Sequence, residues 1–123
     1  MTRPFLKMNG LGNHFVVVEA RTAPFDPTPE EVRKICDRTD GIGCDQLVSL
    51  ERSSKGDARV RFWNADGEEV GACGNASRCV GWLLMEAGQT DTAVLDTRGG
   101  LLHASRAGDH QVSVDMGEPR LDW

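Results

Sequence analysis

The sequence predicts an α+β fold in which antiparallel strands wrap around one central, buried helix. Two patterns predict it. Residues 75–88 read as a helix closed by Gly88, with Ala76, Cys79, Val80, Trp82, Leu83, Leu84, Met85 and Ala87 distributed nearly all round it and only Arg78 and Glu86 charged. A surface helix carries an apolar stripe on one face, whereas apolar residues on every face mark a buried helix. Short strand-like runs separated by turn residues dominate the rest of the chain. The length, 123 residues, sets the scale: it suits one domain, 1–123, and folding would bury roughly 65–70% of the unfolded surface.

The elements follow in order. Phe5–Met8 is short and partly apolar, and Gly10-Leu11-Gly12-Asn13 breaks the chain. Phe15–Glu19 (FVVVE) is β-branched and reads as a buried strand. Thr28-Pro29-Glu30-Glu31 starts a helix: Thr28 caps, Pro29 suits the first turn, and Glu31 completes a capping box. That helix should run to about Arg38, with Val32 and Ile35 facing inward. Gly41–Gln46 is a loop. Leu47–Leu50 and Ala58–Trp63 form a hairpin around Ser53–Asp57, and Asn64-Ala65-Asp66-Gly67 is a turn. Ala93–Asp96, Leu101–Ser105 and Gln111–Met116 form a meander of three strands.

Composition excludes several function classes. Apolar residues are 39%, and 14 glycines bring the chain into the globular range. Fourteen Lys+Arg against 19 Asp+Glu give a net charge of −5, and the few clustered cations are separated by acids. Nucleic-acid binding wants a basic face, and none is present. No apolar stretch approaches the ~18 residues of a membrane span. The N-terminus lacks the apolar segment and cleavage site of a signal peptide, so a cytoplasmic location is expected.

Cys36, Cys44, Cys73 and Cys79 are too few for a disulfide scaffold. No Cys-x-x-Cys pair occurs, and His14, His103 and His110 fall at no zinc spacing, so no metal is expected. The cysteines should be reduced thiols. Free cysteine is usually a small buried hydrophobe, and that reading fits Cys36 and Cys79, while Cys44, in a glycine loop, is open to either role. Cys73 differs, because it lies just before or at the start of the apolar helix. Free N–H groups there lower a thiol pKa and favour thiolate. The amides of Gly74, Asn75 and Ala76 could hold a carboxylate. Cys73 is therefore a candidate nucleophile or base beside an anion hole.

Asn13 and Asn64 sit in glycine-containing turns and would ordinarily serve turn backbone. Gln46 would ordinarily be a solvated loop residue. Gly10-Leu11-Gly12 lacks the third glycine and the following helix of a dinucleotide loop. Trp63 and Trp82 read as core residues, and the histidines as surface residues.

Four segments together change this reading: Lys7-Met8-Asn9-Gly10-Leu11-Gly12-Asn13-His14-Phe15, Gly41-Ile42-Gly43-Cys44-Asp45-Gln46-Leu47, Phe62-Trp63-Asn64-Ala65-Asp66-Gly67 and Ala72-Cys73-Gly74-Asn75-Ala76-Ser77-Arg78-Cys79. In this order and spacing they closely resemble the N-terminal half of the diaminopimelate epimerase family. Met116-Gly117-Glu118-Pro119 looks like the motif that closes that half. The resemblance covers the whole chain and implies two similar α+β domains in the parent protein, each a set of strands around a central helix. It implies cofactor-independent interconversion of LL- and meso-diaminopimelate, in lysine and cell-wall synthesis, by two cysteines on opposite sides of the α-carbon. By resemblance Cys73 is one of the two, Gly74 and Asn75 hold the α-carboxylate through their amides, and Asn13, Gln46 and Asn64 match substrate-binding positions.

The chemistry asks for such parts. Removing an α-proton from an amino acid without pyridoxal phosphate needs a base in a dry site and electrostatic support for the developing carbanion. Inversion also needs an acid on the opposite face. The chain departs from the family here, because the second half and its cysteine are absent. Cys79 lies six residues along the same helix as Cys73 and points away from its face. His14 stands where the family usually has Asp, and Ala76-Ser77 replaces the commoner Gly-Ala. The isolated chain is expected to be a poor epimerase or inactive. Its missing partner is the C-terminal domain, and a homo-oligomer is a further possibility. Competing readings are a proline racemase-like or phenazine-biosynthesis-like isomerase, a non-catalytic carboxylate-binding module, and a purely structural thiol protein.

Overall fold

A computed structural model describes residues 5–10, 13–71, 74–108 and 111–115. In chain order the elements are β1 (Phe5–Gly10), β2 (Asn13–Glu19), α1 (Pro29–Cys36), β3 (Gln46–Glu51), β4 (Ala58–Asn64), β5 (Glu69–Val70), α2 (Gly74–Gly88), β6 (Thr92–Thr97), β7 (Gly100–Gly108) and β8 (Gln111–Asp115). The strands form one sheet in the order β1-β2-β3-β4-β6-β7-β8, with β5 paired to β4.

The α+β class agrees with the sequence reading, but strand direction needs a correction. The β2–β3 and β4–β6 pairs are parallel. The remaining pairs, including the β3–β4 hairpin and the β6–β7–β8 meander, are antiparallel. Parallel neighbours need a crossover connection, and the two helices supply one each: α1 lies between β2 and β3 in the chain, α2 between β4 and β6. Turn signals mark hairpins, whereas a parallel pairing across a helix leaves no local mark.

Period-two alternation sorts the strand residues onto two faces. Phe15 and Val17, Val48 and Leu50, Ala58, Val60 and Phe62, Ala93 and Leu95, and Leu102 and Ala104 share one buried cluster with Ala76, Val80, Leu84 and Met85 of α2. On the other face Val16, Val18, Leu47 and Trp63 pack with Val32 and Cys36 of α1 and with Cys44. The order is therefore α1, sheet, α2. Helix α2 touches β1 as well as β6, β7 and β8. Because β1 and β8 are the two ends of the sheet order, the sheet curls around this helix.

The helix is less enclosed than its composition predicts. Ala76, Ser77, Val80, Leu84 and Met85 are buried, but Cys79, Trp82 and Leu83 are half-buried. Trp82 is thus not a core residue, whereas Trp63 is. The helix ends at Gly88, yet the left-handed residue that follows is Gln89, with φ of 54°. Helix α1 has the expected capping box, with Thr28 Oγ1 accepting from the Glu31 amide and the Glu31 carboxylate accepting from the Thr28 amide. It stops at Cys36 rather than Arg38, because Asp37 turns the chain: its carboxylate accepts from the amides of Thr39 and Asp40.

Candidate active site

Asn13 is the first residue of β2, Gln46 the first of β3 and Asn64 the last of β4. Strand β2 runs parallel to β3, and β4 runs antiparallel to it, so all three residues stand at one end of three neighbouring strands. Each also lies two residues from an inward-facing apolar side chain: Asn13 from Phe15, Gln46 from Val48 and Asn64 from Phe62. The pleat therefore puts all three on the α2 face.

Gln46 and Asn64 are register partners, and Gln46 Nε2 donates to Asn64 Oδ1 at 3.0 Å. Each carboxamide has further donor and acceptor capacity beyond this bond. Helix α2 begins four residues after β5, and β5 pairs with the end of β4 through Phe62–Val70 and Trp63–Glu69. Ala76, in the first turn of α2, joins Phe15 and Phe62 in one buried cluster. The N-terminal end of α2, where a helix carries partial positive charge, therefore packs on the sheet face that also carries the three carboxamide residues. Gly74 and Asn75 form its first turn. Cys73 lies outside the described residues, as does Met116–Pro119.

Backbone pairing fixes this end of the sheet. The Asp45 amide donates to the His14 carbonyl at 2.8 Å, and the His14 amide donates to Asp45 Oδ2 at 2.7 Å. Asp45 Oδ1 also accepts from Arg38 at 2.7 Å. The His14 amide, with Arg38 in second place, holds the Asp45 carboxyl below the usual carboxylate range. Asp45 was not singled out from the sequence. Its signal was its place directly before Gln46, opposite the residue that follows Asn13. On the far side, the Asn64–Gly67 turn closes through Gly67 N to Asn64 O at 3.0 Å and Asn64 N to Glu68 O at 2.8 Å. Gly67 has φ of +98°, and a Cβ there would meet the Pro29 carbonyl at 2.6 Å. Only glycine suits that position.

The other cysteines lie elsewhere. Cys36 and Cys44 are buried on the α1 face, with their sulfurs 3.2 Å apart in hydrogen-bond contact. Cys79 packs against the α2-side core. A cavity of about 270 Å³, lined by Phe5, Leu6, Val17, Leu50, Leu83 and Ala87 among others, opens at the opposite end of β2, β3 and α2 and shares nothing with the carboxamide cluster. Among the described residues no group of three or more His, Cys, Asp or Glu could hold a metal ion, and no helix is long and apolar enough to cross a membrane.

This architecture is found in solved isomerases and phenazine-biosynthesis proteins. A hydroxyproline epimerase from Agrobacterium vitis matches with a TM-score of 0.64 at 20% identity, over 85% of this chain and 37% of that one. A phenazine biosynthesis protein of the PhzF family from Enterococcus faecalis matches with a TM-score of 0.66 at 14% identity, over 86% of this chain and 41% of that one. At such identities the likeness defines the fold alone.

The sequence narrows the class further. The sequence model of the diaminopimelate epimerase family matches residues 5–121, and the chain belongs to that family. A diaminopimelate epimerase of Phenylobacterium zucineum is 67% identical over 123 residues, which are all of this chain and 44% of that protein. One of Caulobacter sp. (strain K31) is 55% identical over 131 residues, covering all of this chain and 45% of that protein. The chain thus spans less than half the length of these curated relatives.

Proposed function

We propose that this chain supplies one half of a diaminopimelate epimerase active site, and that the whole protein interconverts LL- and meso-diaminopimelate in the cytoplasm, for lysine and cell-wall synthesis. The observation that supports the reading is that Asn13, Gln46 and Asn64 share one end of three neighbouring strands, on the face that packs on α2, in a chain of this family.

In this reading Cys73, just ahead of α2, is the base on one side of the α-carbon. The amides of Gly74 and Asn75 donate to the α-carboxylate and stabilise negative charge as the proton leaves. The carboxamides of Asn13, Gln46 and Asn64 orient the substrate's polar groups. Phe15 and Phe62 back the site with apolar surface, which lowers the local dielectric and strengthens these contacts. The reaction runs without pyridoxal phosphate or metal, since the thiol acts as base and the helix amides offset the charge.

Inversion needs a second proton donor on the opposite face. Cys36 and Cys44 belong to the α1 layer, across the sheet from the carboxamides, and Cys79 is half-buried against the α2-side core. The second thiol must come from outside this set, from a further domain or, less economically, from a second copy. The chain by itself is therefore a poor epimerase.

The test is a chimera in which these 123 residues replace the matching segment of the Phenylobacterium zucineum relative. LL-to-meso conversion by the chimera, absent from its Cys73→Ala variant and from the 123-residue chain alone, is the expected result. Net conversion by the chain alone, or conversion that survives Cys73→Ala in the chimera, would overturn the reading.

A further inference from the structure

We propose that Cys36 and Cys44 form a redox-modification site, a dithiol that a hydroperoxide closes to an intramolecular disulfide and a dithiol reductant reopens. Cys36 is the last residue of α1, and Cys44 lies two residues before β3. Their sulfurs are 3.2 Å apart, and the Cys44 amide donates to the Cys36 carbonyl at 3.2 Å, so backbone and side chains are both held face to face. A disulfide needs sulfurs about 2.05 Å apart. Rotation of the two side chains, with a small yielding of the seven-residue loop between them, closes that gap. The site belongs to the α1 layer, on the opposite face of the sheet from Asn13, Gln46 and Asn64, and stands independently of the proposed reaction.

The surroundings favour this chemistry over packing alone. Val16, Val18, Val32, Leu47 and Trp63 share the cluster, so the side chains around the sulfur pair are apolar. Both cysteines are buried, but residues 37–42 of the loop that joins them are exposed. That loop is held by short-range bonds, Gly41 N to Asp37 O, the amides of Ile42 and Gly43 to Ile35 O, and those of Thr39 and Asp40 to the Asp37 carboxylate, with Lys7 Nζ reaching the Ile42 carbonyl. Local opening of such a loop admits a small oxidant without unfolding the sheet.

The two thiols divide the roles. The Cys36 thiol hydrogen-bonded to Cys44 draws the Cys44 pKa down, aided by a backbone hydrogen bond at Val16, while the Cys36 thiol is pushed up by the same contact. With Cys44 as the attacking sulfur, Cys36 is the resolving thiol, and the same disulfide results with the roles exchanged. Cys44 sulfur attacks the hydroperoxide, the O–O bond breaks, and with one proton taken up the products are Cys44 sulfenic acid and an alcohol or water. The Cys36 sulfur then attacks the Cys44 sulfur. Its proton leaves with the displaced hydroxide as water, and the S–S bond forms. Two electrons pass from the sulfur pair to the peroxide.

Tryptic mapping of the reduced chain after exposure to hydrogen peroxide and alkylation tests the proposal. Cleavage after Lys34, Arg38 and Arg52 puts Cys36 on residues 35–38 and Cys44 on residues 39–52. The expected result is that these two peptides are recovered joined, lighter by two hydrogens, and separate again after dithiothreitol. Cys36→Ser should abolish the joined peptide and leave a sulfenic acid on Cys44 that dimedone traps. Should that variant fail to fold, the map of the unaltered chain still decides. Recovery of both peptides alkylated, or of Cys44 joined instead to Cys73 or Cys79, would overturn the proposal.

Discussion

Gln46 and Asn64 face each other across β3 and β4 and are joined by a 3.0 Å hydrogen bond between their side chains. A neutral bond of this kind is worth about 1 kcal/mol. Its larger effect is geometric, because each carboxamide fixes which edge the other turns to a ligand. Gln46→Ala and Asn64→Ala, made in the chimera, should each raise KM for LL-diaminopimelate by about tenfold or more, as loss of one polar contact predicts. The double variant should be less impaired than the two effects combined, with a coupling of about 1 kcal/mol. Steady-state kinetics on the four proteins checks both points. Strictly additive losses would mean that the two side chains act separately.

Asp45 ties the start of β3 to the start of β2 through the His14 amide. Its carboxyl titrates below the ordinary value in the folded chain, chiefly because of that amide and then because of Arg38. A depressed folded pKa contributes stability that is present above the unfolded value of about 3.9 and is lost as pH falls through the folded one. Glu19, drawn down by its bond to Arg21, adds to the same acid-side loss. The urea midpoint should therefore fall as pH drops below about 4, and Asp45→Asn should flatten part of that fall. Urea titrations of both proteins across this range measure it. An unchanged slope in the variant would remove Asp45 from the account.

Gly67 closes the turn that follows Asn64 at φ of +98°, with the Pro29 carbonyl 2.6 Å from where a Cβ would stand. Gly67→Ala should cost about 1–3 kcal/mol from the backbone conformation, with the carbonyl clash added. It should also disturb Asn64, whose carbonyl accepts from Gly67. Thermal unfolding reads the first effect and the Asn64 side-chain amide resonance the second.

Phe15 and Phe62 are fully buried below Asn13 and Asn64. Either residue changed to Ala should cost about 3–5 kcal/mol. Phe5, nearly half exposed at the start of β1, should cost much less. Denaturant unfolding of the three variants ranks them, and an equal loss at Phe5 would contradict the assignment of the core.

Much of this fold was legible because its signals are local. The β-branched run after His14 marks β2, the Thr28–Glu31 box marks α1, and turn residues mark the hairpins. Strand β1 was harder to see: Phe5–Gly10 has no β-branched residue, and its side chains are largely exposed. The parallel β2–β3 and β4–β6 pairs depend on where the helices carry the chain, which no short window records. The site was legible as separate asparagine, glutamine and cysteine-glycine motifs. That Asn13, Gln46 and Asn64 share one end of three strands was not, since Asn13 and Asn64 are 51 positions apart. Nor did the eight-residue gap between Cys36 and Cys44 predict touching sulfurs. The loop has to fold back over the end of α1 before they meet.

The central claim is that Asn13, Gln46, Asn64 and the start of α2 form one ligand cradle. Titration of ¹⁵N-labelled chain with diaminopimelate, followed through side-chain and backbone amide resonances, tests it most directly. The account predicts shifts at the three carboxamides and at the amides of Asn75 and Ala76, with Leu83 and Ala87 at the opposite end unmoved. Shifts centred on Leu83 and Ala87, or none at the carboxamides at saturating ligand, would contradict it.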